Sequence, residues 1–540
     1  MKKKLLILGA AALLLALASK SFGQTITLGT TANFALFSTN GAVSNTSPSQ
    51  VTGNVGTNNG SSTAFGNVNG QMHDQDGASA QAAADLLTCY NQLNGTAATM
   101  FPAPLMGNGQ VLTPGVYSIA SAATLNLGLT LDAQNNPNAI FLIKIQGSLS
   151  TNASAKVHLI NRAMACNVYW QIEGLVSMAS GTTMRGNIIS NNGAISINTG
   201  DTLEGRALTT AGAVTISNAL VYTPIGCGSP VLTGPAAPTM GAAACYAIFS
   251  GNGSVTNTGI THVVGDVGTN VGSTTGYNAL TVTGTIHPGP DGSTAQCAAD
   301  LMTAYNYLNT LPYDIELLYP TQFGSNLVLT PHTYYMNGAC TLTDTVILNA
   351  ENVSTAVFVI QINGALGTST YSKIKLINGA QAKNVYWKIE GAVNINNYSV
   401  FCGTIVSHNG ALGAINTGVV LNGQALTTSG ALTTDAVTIT DQVAPGNCAS
   451  VGMREQMRAG GAIVFPNPFT GNATLVLNGD MPSEGMVWNM YNVLGERVMS
   501  TMLFNQTTTV STGGLSSGIY FYELLSHGAV IQTGKLISEQ

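Results

Sequence analysis

Between residues 24 and 449 apolar and polar positions alternate in short runs, broken by Gly, Asn and Ser. A period of two is the pattern of half-buried strands. Two segments depart from it. AQAAADLLTCYNQL and AQCAADLMTAYNYL carry apolar residues at helical spacing, behind the capping stretches Asp76-Gly77-Ala78-Ser79 and Asp291-Gly292-Ser293-Thr294. The pattern predicts a mainly β chain with helices over 76–94 and 291–309.

The same series of elements occurs twice. Phe34-Ala35-Leu36-Phe37-Ser38 matches Tyr246-Ala247-Ile248-Phe249-Ser250, and Asn167-Val168-Tyr169-Trp170 matches Asn384-Val385-Tyr386-Trp387. Ala207-Leu208-Thr209-Thr210 matches Ala425-Leu426-Thr427-Thr428. Two homologous domains are expected at 24–227 and 243–449. The Pro- and Gly-rich stretch 228–242 would join them as a short, semi-extended linker.

A shorter period runs inside each copy. Gly147, Gly174, Gly193 and Gly212 each open a strand, as do Gly364, Gly391, Gly410 and Gly430. A step near 19 residues that holds three short strands is one coil of a β-helix. A hairpin meander is the alternative, but it has no fixed coil period. The large residues Leu149, Val176, Ile195 and Val214 must point into the coil, so their neighbours point out. In the first copy the outward set is Ala42, Ser44, Thr124, Asn126, Ser148, Ser150, Ser177, Ala194, Ser196, Ala213 and Thr215, with Leu175 among them. In the second it is Ser254, Thr256, Thr341, Thr343, Ala365, Ala392, Asn394, Ala411, Ala431 and Thr433, with Gly367 and Gly413. None is charged. Coils stack at about 4.8 Å and alternate residues lie about 6.6 Å apart, both close to ice-lattice repeats. Small residues also stack well in any β-helix, so composition alone does not assign this face a ligand.

Charge sharpens the picture by its scarcity. Only 7% of residues are charged, against roughly 25% in an average globular protein. At 45% hydrophobic the chain is not of disordered composition. The net charge is −6 and no basic run exists, which argues against a nucleic-acid partner. Met1 to Lys4 followed by the apolar run Leu5–Ala18 and Ser21-Phe22-Gly23 reads as a signal peptide over 1–23; that run is short for a membrane anchor. Eight cysteines suit an oxidising compartment, with 105 full pairings open; Cys227 and Cys448 each close a repeat and read as structural. There is no zinc-type Cys/His spacing.

LGTTANFALFSTNGAVSNTSPSQVTGNVG, the AQAAADLLTCYN helix, ACNVYWQIEG and NTGDTLEGRALTTAGAVT resemble the microbial β-helical ice-binding (antifreeze) proteins, and the second copy repeats the series. The resemblance implies two tandem discontinuous right-handed β-helices of triangular section, each with one flanking helix. It also implies that the flat Thr/Ser/Ala-rich face adsorbs to ice. If the two faces point apart, the first domain, whose face keeps more hydroxyls, is expected to carry nearly all the activity; if they are coplanar, both act together. Behind a short linker at 450–462, residues 463–540 resemble the C-terminal sorting domain of the type IX secretion system, through FPNP, the NVLG turn, Leu515-Ser516-Ser517-Gly518-Ile519-Tyr520 and Gly534-Lys535-Leu536. That implies a small β-sandwich, engagement of the secretion machinery, and release or attachment to surface lipopolysaccharide. A monomer without cofactor or metal is expected.

β-Helices also host polysaccharide lyases, which need clustered acids and a basic residue, and no such set is visible. His73 and His287 precede the two helices in different contexts and read as local structure. Trp170 and Trp387 are expected inside the coil or under the helix. A surface adhesin or glycan-binding protein remains the alternative function. It would show exposed aromatics or carboxylates along a groove rather than a flat face poor in both.

Overall fold

The computed structural model describes residues 26–226, 231–441, 462–465, 467–477 and 486–539. The signal-peptide reading over 1–23 and the cysteines Cys227 and Cys448 lie outside these residues. The chain divides into a unit through Gly446 and a C-terminal unit.

The first unit holds two β-helices built from parallel strands. In the first, Leu149 pairs with Val176, Val176 with Ile195, and Ile195 with Val214, so each coil repeats the one before it. The steps of 27, 19 and 19 residues are the glycine spacings of the sequence. Their cause is steric. Gly193 lies so close under Gly174 that a Cβ on it would sit 2.1 Å from the Gly174 carbonyl oxygen. Inside the coils, aliphatic residues stack on their counterparts, and Trp170 and Trp387 are fully buried there. Their indole N–H groups donate to the carbonyls of Arg185 and Cys402, which removes the cost of an unpaired buried donor.

Each β-helix is discontinuous. Its opening strand, Phe34–Ser38, lies between Asn54–Thr57 and the late strand Thr202–Thr209. Likewise Val43–Asn45 pairs with Val214–Ile216. The second copy repeats this, with Tyr246–Ser250 beside Val420–Thr427.

Helices α1 (Gly77–Gly95) and α2 (Gly292–Thr310) lie within a residue of their expected spans. Asp76 and Asp291 cap them through reciprocal bonds with Ser79 and Thr294. Helix α1 packs Ala82, Leu86, Cys89 and Leu93 against Phe34, Phe37, Leu142 and Tyr169 on one wall of the coil. The acid of the repeated IEG motif fastens the seam: Glu173 accepts from Tyr90, Gln171 and Asn191.

The two β-helices meet end to end. Asn69, buried, donates to the Thr330 hydroxyl at 3.0 Å and accepts from the Tyr334 hydroxyl at 2.7 Å. The Asn67 side chain exchanges two bonds with the Tyr319 backbone, and Gln50 donates to the Ser325 carbonyl.

The C-terminal unit has two antiparallel sheets. One comprises Ala462–Phe465, Asn472–Leu477 and Thr507–Ser511, the other Arg497–Leu503, Met486–Tyr491, Gly518–Ser526 and Ala529–Ser538. They enclose a core around Leu475, Trp488 and Tyr522, the small β-sandwich expected from the sequence.

Candidate functional site

One wall of each β-helix carries no helix and mostly small residues. In the first it is an eight-stranded sheet running from Ser62–Thr63 through Val43–Asn45, Val214–Ile216, Ile195–Ile197, Val176–Ser177, Leu149–Thr151 and Ala123–Asn126 to Leu105–Gly107. The register aligns Thr63, Ser44, Thr215, Ser196, Ser177, Ser150 and Thr124 in one outward column, with Leu105 at its end. Seven consecutive hydroxyls stand at the strand spacing of about 4.8 Å. Thr124 and Ser150 lie 3.1 Å apart, and Thr215 donates to Ser196 at 3.2 Å. Two residues back along each strand runs a second column: Ser61, Ala42, Ala213, Ala194, Leu175, Ser148 and Ala122. Leu175 is 51% exposed and is its one bulky member.

The second β-helix repeats this wall in seven strands. Its hydroxyl column reads Thr275, Thr256, Thr433, a bulge at Gly413-Ala414, Asn394, Gly367 and Thr341. The adjoining column is Ser273, Ser254, Ala431, Ala411, Ala392, Ala365 and Ala339, with no bulky residue.

All the outward residues named from the sequence do point away from the coil. Two pairs are corrected by the register. Thr124 belongs with Ala122, not with Asn126; Asn126 stands in a marginal column, where it accepts from Asn152 and donates to Asn108. Thr341 likewise belongs with Ala339, and Thr343 falls at the margin beside Gly324. Gly413 sits in a bulge, so Ala414 rather than Gly413 aligns with Asn394. The sequence reading missed Ser61, Thr63, Ser273 and Thr275. Their strands have polar inward residues, Ser62 and Thr274, paired with Val43 and Val255. Without an aliphatic inward residue, the alternation that would have marked these strands is absent.

The inner columns of both walls hold no titratable side chain. Charges stand at the margins: Asp74 accepts from the N–H and hydroxyl of Ser62 at the end of the first wall, and Asp435, beside the second, accepts from Thr258 and Thr417. The Thr417 and Thr258 bonds hold the Asp435 carboxyl below the usual range. The groove at the junction of the β-helices is lined by Thr46 and Ala64 from one side and by Thr321 and Thr343 from the other. The margins of the two walls therefore meet on the same side of the body.

His73 and His287 place Nδ1 2.7 and 2.6 Å from the capping carboxylates of Asp76 and Asp291, which makes them part of the helix starts. For Asp76, burial pushes the carboxyl up. The Ser79 N–H and His73 outweigh it and leave the group below its ordinary value. Among the described residues no three His, Cys, Asp or Glu side chains gather as a metal site. Cys166 is disulfide-bonded, while Cys89, Cys297, Cys340 and Cys402 are free and buried.

The ice-binding-like family model matches residues 37–222 and 249–440, and the secretion system C-terminal sorting domain matches 463–539. An ice-binding protein of Nostoc sp. is 38% identical over 166 residues, 30% of this chain; the match spans 61% of the Nostoc protein's length. One of Colwellia sp. is 28% identical over 221 residues, 38% of this chain and 85% of that one. The crystal structure of an ice binding protein from an Antarctic Flavobacteriaceae bacterium is 56% identical, with a TM-score of 0.76. It covers 78% of this chain and 99% of its own. With both β-helices matched nearly end to end, this chain belongs to the ice-binding-like family, in two tandem copies, and carries a secretion system C-terminal sorting domain.

Proposed function

We propose that the protein adsorbs to ice through the two small-residue walls and so stops ice growth, restrains recrystallisation or holds its bearer to ice. The observation that carries this reading is the register: uncharged columns made mostly of Thr, Ser and Ala, aligned strand by strand over seven or eight strands. Hydroxyls and methyls at about 4.8 and 6.6 Å can hold water in an array that merges with the lattice, and no side chain on the wall has to ionise for that. The reading is of a monomer that needs no metal or cofactor, catalyses nothing and does not bind nucleic acid. The sorting domain directs the chain out of the cell, and release or lipopolysaccharide attachment would follow.

The test is to crowd the wall. In Ala194→Tyr/Thr215→Tyr, and separately in Ala411→Tyr, thermal hysteresis and ice shaping should each fall by more than half, since two walls on one side act as a bivalent binder. The melting temperature should hardly move, because outward substitutions cost within about 0.5 kcal/mol. Full activity in the Ala194/Thr215 double variant would place the ice-contacting surface elsewhere.

A further inference from the structure

Two tyrosines stand where the fold asks for none. They occupy the corner where the hydroxyl wall of the second β-helix turns into the wall that carries neither helix nor hydroxyl columns. Tyr371 and Tyr398 hold the same turn in successive coils, at φ +61° and +59°, and Gly418 holds it in the next. The first β-helix fills the three equivalent places with Ser154, Gly181 and Gly200. Left-handed backbone suits glycine, and a bulky residue there is strained. The two rings gain little burial in exchange: Tyr371 is 64% exposed and Tyr398 48%. They stack on each other, with centroids 5.2 Å apart and planes 16° from parallel. Tyr398 in turn lies where a Cβ on Gly418 would stand. Tyr398 thus covers one face of Tyr371. The other face is open, on the side of Thr343, which is its counterpart in the adjoining coil. Strain kept at an exposed site that folding does not need points to a function.

Thr343 also lines the groove at the junction of the two β-helices, a cleft of about 450 Å³, the size of a small-molecule site. No charged side chain lines it. Among the described residues, the side chains of Ser47, Thr321, Gln322 and Ser325 in this groove have no hydrogen-bond partner within the chain. Gln50 uses only its amide N–H, on the Ser325 carbonyl, and keeps its oxygen. Asp344 and Lys373, which follow Thr343 and Tyr371 in sequence, are opposite in sign and lie outside the lining; Asp344 accepts from Asn326 and Thr345.

We infer that the junction groove binds a neutral saccharide, one ring of which packs its C–H face on the open face of Tyr371. The lining and the ring select this class together. Hydroxyls and amides both donate and accept, as sugar hydroxyls do. A phosphate or carboxylate would enter a groove with no cation to pair it, which is costly. A wholly apolar ligand would cover the free hydroxyls and amides and leave them unpaired. A sugar ring has a polar edge for the groove and an apolar face for the tyrosine. The groove lies beside the inner hydroxyl columns rather than on them, so this inference does not rest on ice adsorption.

The experiment is retention of the full chain on immobilised mannan, dextran and β-1,3-glucan, with polygalacturonate as the charged comparison. Retention is expected on at least one neutral polymer and not on polygalacturonate. The variant Tyr371→Ser/Tyr398→Gly installs the residues that the first β-helix has at this turn. It should keep its melting temperature and bind at least tenfold more weakly. Tyr371→Phe keeps the ring and should bind as the parent does, whereas Thr321→Ala/Gln322→Ala should weaken binding several-fold from the groove side. Ice shaping, read on the same samples, should be unchanged in all three, which separates this inference from the proposed function. Absence of retention on all three neutral polymers overturns it. So does undiminished binding of the Ser/Gly variant, or equal retention on polygalacturonate.

Discussion

The two hydroxyl walls descend from one pattern and have diverged in opposite ways. The first has seven hydroxyls in line but carries Leu175 in the adjoining column, between Ala194 and Ser148. The second has an unbroken column of small residues but puts a bulge, Asn394 and Gly367 where hydroxyls would stand. One wall is chemically complete and interrupted in height; the other is level and chemically incomplete. On the proposed reading, a protruding side chain would hold the lattice away from every neighbouring rank, whereas a missing hydroxyl would remove one anchor. The sequence alone favours the first wall because it counts hydroxyls, and the difference in height now weighs against that count.

The largest change should come from levelling the first wall. Leu175→Ala should raise hysteresis several-fold in a chain whose second wall is blocked by Ala411→Tyr. An unchanged value would mean that height does not limit the first wall. A smaller gain, less than twofold, should follow from completing the second. Gly367 lies on an open surface where an added Cβ would meet nothing nearer than the Thr341 hydroxyl at 3.9 Å. Gly367→Thr therefore adds a hydroxyl in register between Asn394 and Thr341, and the wall blocked for comparison is then the first. The same substitution at Gly413 should do nothing useful, because its place in the bulge takes it out of the column.

The smallest effect concerns stability and also separates the two copies. Asp201 is buried at a corner of the first β-helix, where it accepts from the backbone N–H groups of Thr182 and Asn198. Val419 occupies the equivalent corner of the second. Burial raises the Asp201 carboxyl to about 6 against those bonds. The unfolded chain releases this proton near pH 4. Between pH 4 and 6 the folded state binds more protons, so this group's contribution to stability falls as pH rises through that window and stays low above it. The loss is on the order of 3 kcal/mol. Calorimetry of Asp201→Asn should show a flatter dependence of Tm on pH between 4 and 6, at a somewhat lower Tm because one accepted bond is lost. An undiminished slope would assign it to other groups.

The coil period, both helices and the sandwich were legible because each rests on local pattern: glycine stacking, a capping box, alternation. Register was not, because it is set by partners outside the local run. Asn126 and Thr343 alternate with Thr124 and Thr341 as well as any true pair, and only pairing with Ser150 and Gly367 shows which neighbour shares their columns.

The interleaving of first and last strands bears on how such a chain is made. A nascent chain leaves the ribosome with Phe34–Ser38 early, yet Leu36 waits for Ala207, about 170 residues later, to complete its hydrogen bonding. Until then the strand presents an open edge, the kind that recruits neighbouring chains. Each β-helix is thereby closed like a clasp, and its ends cannot be trimmed independently. Removing the final coil strips a partner from the opening strand, so a truncated copy would lose the seat of its first two coils as well. The same clasp delays completion of each β-helix until its whole repeat has been delivered.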